Sequence, residues 1–270
     1  QTYPIFPPCA SRPCRRGDQA HGRLRCPAQA SIVDRVDNAL SIDVEEYFQI
    51  HALVDVIPPG RWDAMPSTVE ENTRVVLDLL DAHGTRATFF CLGWIAARRP
   101  ALVRRIRERG HEVACHGYAH KAIHLQDPDE FRRDVTSAKK ILEDAVGEEV
   151  IGYRAPTYSI TQRTMWAIPI IEEAGFAYDS SIFPIYHDTY GIPDAPRFPH
   201  RIPQTALAEF PISTFRIAGV NVPVSGGGYF RLLPYPVTRV CLRSLTSGGD
   251  PFIFYIHPWE LDPSNPAVSG

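Results

Sequence analysis

Two histidines stand four residues apart in "GHEVACHGYAH", residues 110–120, directly after a short alternating apolar run. His116 and His120 are a solvated pair, a packed core pair, or half of a metal site. If the segment turns helical after its strand, both imidazoles share one face, and neutral nitrogens at that reach suit Zn²⁺ or a similar divalent ion. What separates these alternatives is a carboxylate brought in from elsewhere. "SIDVEEYF" supplies one, with Asp43, Glu45 and Glu46 crowded where an apolar strand runs out. Apolar residues on both sides make this a poor place for freely solvated acids, and buried carboxylates need a cation. One carboxylate and two histidines leave positions on a divalent ion open for water and substrate, the arrangement a hydrolytic metal needs. Three more polar residues fall at strand ends: Arg154, the only charge of "GYRAPTYS"; Asp179 in "YDSS"; and His257 in "FIFYIHPWE".

Something must bring these segments together. "NALSIDV", "TRATFFCLG", "HEVACHG", "EVIGYRAP", "FAYDSSI", "LAEFPIST" and "PFIFYIHPW" read as strands. Between them, "STVEENTRVVLDLLDAHG" opens with a Ser or Thr cap and places Val69, Thr73, Val76 and Leu80 on one face. "RPALVRRIRERG" is a second helix, "DPDEFRRDVTSAKKILEDAVG" a third with Phe131, Val135, Ala138 and Leu142 on one stripe, and "TQRTMWAIPIIEEAG" a Pro-interrupted fourth. A hairpin is expected in "FRIAGVNVPVSGGGYF" and a helix near 236–247. Strand–helix alternation predicts parallel strands with crossover helices, as an open doubly wound sheet or a barrel. Asp43, His116, Arg154, Asp179 and His257 all at carboxyl ends of strands favour a distorted (β/α) barrel, TIM-like with about seven strands.

With 28 basic against 31 acidic side chains in 270 residues, the chain lacks the electrostatic footprint that nucleic acid or an anionic membrane demands. A neutral or small polar partner is expected, and no apolar run is long enough for a membrane span. Cys91, Cys115 and Cys241 read as buried small hydrophobes, and Cys9, Cys14 and Cys26 lack the paired spacing of a zinc knuckle. No secretory h-region is evident, so a cytoplasmic location is expected. Residues 1–37 read as an irregular segment, 38–262 as one catalytic domain and 263–270 as a tail.

Taken together and in order, these motifs resemble the polysaccharide deacetylases, the NodB-homology or carbohydrate esterase family 4 group, over residues 38–262. "SIDVEE" is similar to the first family motif, "HGYAH" to its metal-binding H-x-x-x-H, "RAPTY" to the R-x-P motif, "YDSS" to the motif whose Asp supports the acid, and "YIH" to the last motif. The resemblance implies Asp43 as general base, a divalent metal, most simply Zn²⁺, on an acid with His116 and His120, and His257 as general acid. It also implies Arg154 holding Asp43 ionised and Asp179 beside His257. Glu45 is favoured as the metal acid, because residues i and i+2 of a strand face one side; Glu46 is the alternative. Thr157 is a candidate oxyanion donor through its N–H, and Tyr158 and Tyr255 are candidate substrate contacts, Tyr255 standing where the family usually has Leu. "DVEEYFQ", "GGGYFRLLPY" and "HPWELDP" resemble the branch found with exosortase and PEP-CTERM exopolysaccharide loci, whose members usually run further than Gly270.

The substrate implied is an N-acetylated glycan, consistent with the aromatics near strand ends (Tyr47, Phe48, Trp62, Trp94, Tyr158, Trp259), which equally suit a core. Two rival functions share the fold: a hydrolase of small cyclic imides or ureides, and a non-catalytic glycan-binding relative. The latter requires a lost motif residue, and none is lost.

Overall fold

A computed structural model describes residues 38–265. Chain order is β1 (Ala39–Val44), α1 (Val69–Ala82), β2 (Thr88–Cys91), α2 (Gly93–Arg98), α3 (Pro100–Glu108), β3 (Glu112–Cys115), α4 (Pro128–Val146), β4 (Gly152–Tyr153), α5 (Ala167–Glu173), β5 (Tyr178–Asp179), β6 (His200–Arg201), β7 (Ala208–Glu209), β8 (Thr214–Ile217), β9 (Val220–Pro223), α6 (Gly227–Leu232), α7 (Tyr235–Ser247) and β10 (Ile253–Ile256). The main sheet runs β10-β1-β2-β3-β4-β5-β7-β6. Its first seven strands are parallel, and β6 is antiparallel at the edge. β8 and β9 form the expected hairpin.

The sheet curls rather than lying open. Phe210, just past β7, donates its N–H to Asp179 O on β5 at 2.8 Å. Three residues later Ser213 N reaches Ile253 O on β10 at 3.2 Å, and Ile253 N returns a bond to Ser213 Oγ at 2.8 Å. One short segment thus links the two ends of the parallel array, which gives the distorted barrel read from the alternation.

Helix formation follows the apolar stripes. Val69, Thr73, Val76 and Leu80 on α1, and Phe131, Val135, Ala138 and Leu142 on α4, are all buried against the sheet. Asp127 caps α4 in a reciprocal box with Glu130, Pro128 opens the helix, and Gly147 closes it in the left-handed region at φ 75°. Helix α5 is shorter than its segment suggested and begins at Ala167. Pro169 therefore falls in the first turn, where its missing N–H removes no intrahelical bond, and the helix starts there instead of being interrupted. Cys91, Cys115 and Cys241 are free and buried, as their apolar contexts suggested, whereas Cys9, Cys14 and Cys26 lie outside the described residues. Among the described residues no helix is long and apolar enough to cross a membrane.

β4 is paired on both sides, and its Gly152 lies in register with Tyr178 of β5. A Cβ at Gly152 would meet Tyr178 Cζ at 2.1 Å, while the Tyr178 hydroxyl is fixed to Glu112 at 2.9 Å. The ring cannot retreat without breaking that bond. Gly152→Ala is expected to destabilise the fold by about 1–3 kcal/mol through overpacking, seen as a lower denaturant midpoint at unchanged m-value. An unchanged midpoint would show that the barrel floor yields more easily than its packing indicates.

Candidate active site

On β1 the alternation of side chains puts Ser41, Asp43 and, just past the strand, Glu45 on one side, and all three are buried. Asp43 Oδ1 accepts Arg154 Nη1 at 2.6 Å. Arg154 follows β4 and has no exposed surface. It also donates to Ser41 Oγ at 2.9 Å, Ser180 O at 3.1 Å and Ser180 Oγ at 2.8 Å, and its guanidinium lies 4.0 Å from the Phe90 ring centroid. Every face of the buried cation is thus engaged.

Glu45, His116 and His120 bring ligand atoms within 4.8 Å of one another. His120 Nε2 lies 2.8 Å from Glu45 Oε2. His116 Nδ1 lies 2.8 Å from Arg154 O, an oxygen that can only accept, so Nδ1 carries the proton and Nε2 keeps its lone pair. The segment between the histidines is not the helical turn that the i, i+4 spacing suggested. It is a loop that swings His120 round with Gly117 at φ 73° and His120 itself at φ 51°, and the rings end 5.3 Å apart. Burial tends to raise the Glu45 carboxyl, but the imidazoles of His120, His257 and His116 outweigh it and draw it down to about 2. Burial draws His116 down to about 4 against the pull of Asp43. Neutral imidazole and ionised carboxylate are the forms a divalent cation needs. Glu45 Oε2 has only the His120 imidazole beside it and His120 Nδ1 is buried with no hydrogen-bond partner, and the close approach of one carboxylate and two imidazoles is a donor set that fits a divalent cation.

Glu46 turns the other way. Its carboxylate accepts Thr68 N at 3.0 Å and the Ser67 hydroxyl, and Gln49 Oε1 accepts Glu46 N at 2.8 Å. Thr68, the residue expected to cap α1, makes no capping bond with its own side chain. The helix N-terminus is capped instead by an acid 22 residues upstream, which also favours the positive end of the helix dipole.

His257 follows β10. Its Nε2 lies 3.5 Å from Glu45 Oε1 and its Nδ1 3.2 Å from Glu260 Oε2, which also accepts His257 N at 2.9 Å. The ring stacks on Trp259 with centroids 5.0 Å apart, and Trp259 Nε1 donates to Glu45 Oε1 at 3.1 Å. Burial opposes the imidazolium, yet Glu45, Glu260 and Asp43 raise it to about 9.

Asp179 does not meet His257, contrary to what the motif order implied. It sits on β5 with Ser181 and Glu209, and the acid beside His257 is Glu260 from the turn three residues on. The physical reason is sheet order, since β5 and β10 are separated by four strands. Glu260 was missed; its signal is an acid three residues after His257 at the start of a turn, the spacing of a capping box.

Thr157 holds left-handed backbone at φ 57° and ψ 22°, with Oγ1 buried and unpartnered. Tyr158 and Tyr255 pack edge to face at 5.2 Å, and the Arg154 guanidinium lies 5.6 Å and 6.0 Å from their ring centroids. Of the six aromatics, Tyr47, Phe48, Trp62 and Tyr158 are buried as core, while Trp94 and Trp259 keep partly exposed surface. A recess of about 270 Å³ opens beside His120, lined by Phe48, Gln49, Ile50, His51, Trp62 and Leu125 among others. A larger one, about 450 Å³, lies between Leu40, Phe254 and α7 and holds none of these site residues.

Residues 61–178 match the family model described as polysaccharide deacetylase, and 180–270 match a domain of unknown function, DUF3473. The boundary falls within the sheet: β7 and β10 from the second stretch pair with β5 and β1. The chain is similar to a peptidoglycan-N-acetylglucosamine deacetylase of Bacillus cereus, 34% identical over 98 residues, 36% of each chain. It is also similar to a chitooligosaccharide deacetylase of Bradyrhizobium sp., 34% identical over 85 residues, 32% of this chain and 39% of that one. It therefore spans little more than a third of these relatives' lengths. Among solved structures, a candidate polysaccharide deacetylase of Mycobacterium smegmatis has a TM-score of 0.59 at 24% identity, covering 83% of this chain and 77% of that one. An allantoinase has 0.55 at 20%, covering 82% and 77%. At such identities these two share the fold alone. Residues 61–178 are thus similar to polysaccharide deacetylases in sequence.

Proposed function

We propose that this protein is a metal-dependent N-deacetylase that hydrolyses the acetamido group of an N-acetylated amino-sugar polymer or oligomer. The observation that carries the reading is the convergence, at one end of the barrel, of a divalent-cation donor set, an arginine-held carboxylate and a histidine set between two acids. The deacetylases among the relatives support the same chemistry. Exopolysaccharide synthesis and a cytoplasmic location belong to this proposal. The first is supported by "DVEEYFQ", "GGGYFRLLPY" and "HPWELDP", the second by three free buried cysteines.

Glu45, His116 and His120 would hold the ion, Zn²⁺ being the simplest match to two imidazoles and a carboxylate. Bound there, it would supply Lewis-acid polarisation of the acetyl carbonyl and of water. Asp43 accepts the proton of the attacking water, and Arg154 fixes the carboxylate so that one oxygen stays turned to that task. His257 carries its proton at neutral pH and delivers it to the departing amine, with Trp259 and Glu260 holding the ring in place. Thr157 offers a backbone N–H to the developing oxyanion. Tyr158 and Tyr255 line the approach to Arg154 and bound the space for the acetyl methyl. Asp179 acts through the Arg154 segment rather than through His257.

Acetate release from N-acetylated chito-oligosaccharides tests the reading. It should stop on chelation and return with Zn²⁺. Asp43→Asn is expected to keep the metal and lose about 10²- to 10⁴-fold in turnover; near-normal rates would remove Asp43 from the base role. Ring opening of allantoin without acetate release would favour the ureide-hydrolase alternative.

The two neighbouring acids separate cleanly. Glu45→Ala is expected to abolish Zn²⁺ binding in titration calorimetry, while Glu46→Gln binds Zn²⁺ normally and lowers the melting temperature, because α1 loses its cap at a cost of about 1 kcal/mol. Reversed outcomes would make Glu46 the ligand.

A further inference from the structure

A second pair of acids lies in the sheet outside the chemistry above. Asp179 on β5 and Glu209 on β7 are register partners on adjacent parallel strands, so their side chains lie side by side on one face, and both are fully buried. Asp179 accepts Ser181 Oγ at 2.5 Å and Ser181 N at 3.3 Å, as a carboxylate does. Glu209 Oε1 accepts Ile182 N at 3.0 Å, but its Oε2 is buried without a partner although Asp179 is its register neighbour on the adjacent strand. Two carboxylates only accept, so neither can satisfy the other. A single proton on Oε2 converts the contact into an O–H···O⁻ bond and removes the orphan.

We propose that Glu209 is a positioning residue: it holds the proton shared with Asp179 and, as a neutral acid, locks Asp179 and Ser181 so that the Arg154–Thr157 segment stays seated in the active site. The links are continuous. Ser181 Oγ donates to Asp179 and accepts Ala155 N at 2.7 Å. Ser180 takes two bonds from Arg154 and donates to Phe210 O at 2.7 Å, the residue after Glu209. Arg154 in turn holds Asp43 and, through its carbonyl, His116. Burial and the Asp179 charge push the Glu209 carboxyl well above the usual range, and Arg154 opposes this without reversing it. Of the other groups facing the pair, Tyr153 lies beside Asp179, and His200 on β6 is in register with Glu209, its Nδ1 turned to Phe198 O at 2.9 Å.

The sign of the pH effect follows from linkage. The unfolded chain releases the Glu209 proton in the ordinary glutamate range and the folded chain does not, so this contribution to stability is full below that range and is lost as pH rises toward the raised value. Glu209→Gln keeps a neutral donor of nearly the same shape and cannot ionise. Denaturation midpoints measured from about pH 5 to about pH 9 should descend in the wild type relative to E209Q. The infrared spectrum of the wild type at neutral pH should contain a protonated-carboxyl C=O band that E209Q lacks. Parallel pH–stability curves, or no such band, would overturn the shared proton.

The kinetic arm rests on the deacetylase reading. Glu209→Ala should lower kcat by up to about a hundredfold with KM little changed, and E209Q should restore it. E209Q as impaired as E209A would overturn positioning by a neutral acid, and if E209A does not fold, E209Q alone decides, by near-wild-type kcat or its loss. A wild type that releases no acetate would sink the functional reading, while stability and infrared still decide the proton.

Discussion

Moving a guanidinium out of water costs several kcal/mol unless its charge and all its donors are met, and Arg154 has no exposed surface. That requirement organises the barrel mouth. The cation draws Ser41 and Asp43 from β1 and Ser180 from the end of β5, and rests on Phe90 of β2. Its own carbonyl fixes the tautomer of His116 after β3. One residue thereby ties together four strand ends that are distant in sequence. It also sets a buried positive charge 2.6 Å from the carboxylate assigned as base.

Much of this was legible because the relevant signals are local. Five of the seven strands end at Asp43, His116, Arg154, Asp179 and His257, and the stripes on α1 and α4 repeat at helical spacing, so alternation and those positions together indicated a barrel mouth. The preference for Glu45 over Glu46 came from the two-residue period of a strand, and the structure adds the other half: Glu46 faces away and caps α1. That cap illustrates what local reading misses. Thr68 has the residue type of a cap, yet its side chain makes no capping bond, and an acid arriving from the end of β1 takes the N–H of Thr68 itself.

The pairing of His257 is the instructive failure. Motif order placed Asp179 beside it, but chain order says nothing about which strands become neighbours across a curled sheet. The partner came from three residues downstream, Glu260, and Asp179 found Glu209 because β5 and β7 align in register across a 30-residue excursion. Neither contact leaves a periodic trace in sequence. The His116–His120 loop is similar: the four-residue spacing was right for convergence, but left-handed turns at Gly117 and His120, not a helix, achieve it.

Five buried acids at one end of a barrel would repel one another apart if all were handled alike, and the structure gives each a different remedy. Asp43 has a guanidinium, Glu45 has imidazoles and a coordination geometry that suits a cation, Glu46 has the N-terminus of α1, and Asp179 has Ser181 together with the acid Glu209. These remedies are not interchangeable, because each fixes a protonation state: ionised where an arginine or a cation answers, neutral where only another acid does. An acid–base site needs that inequality. On the proposed deacetylase reading, Asp43 is the group left to take a proton and His257 the one left to give it, and the four remaining carboxyls are kept from competing by the partners that the fold assigns them.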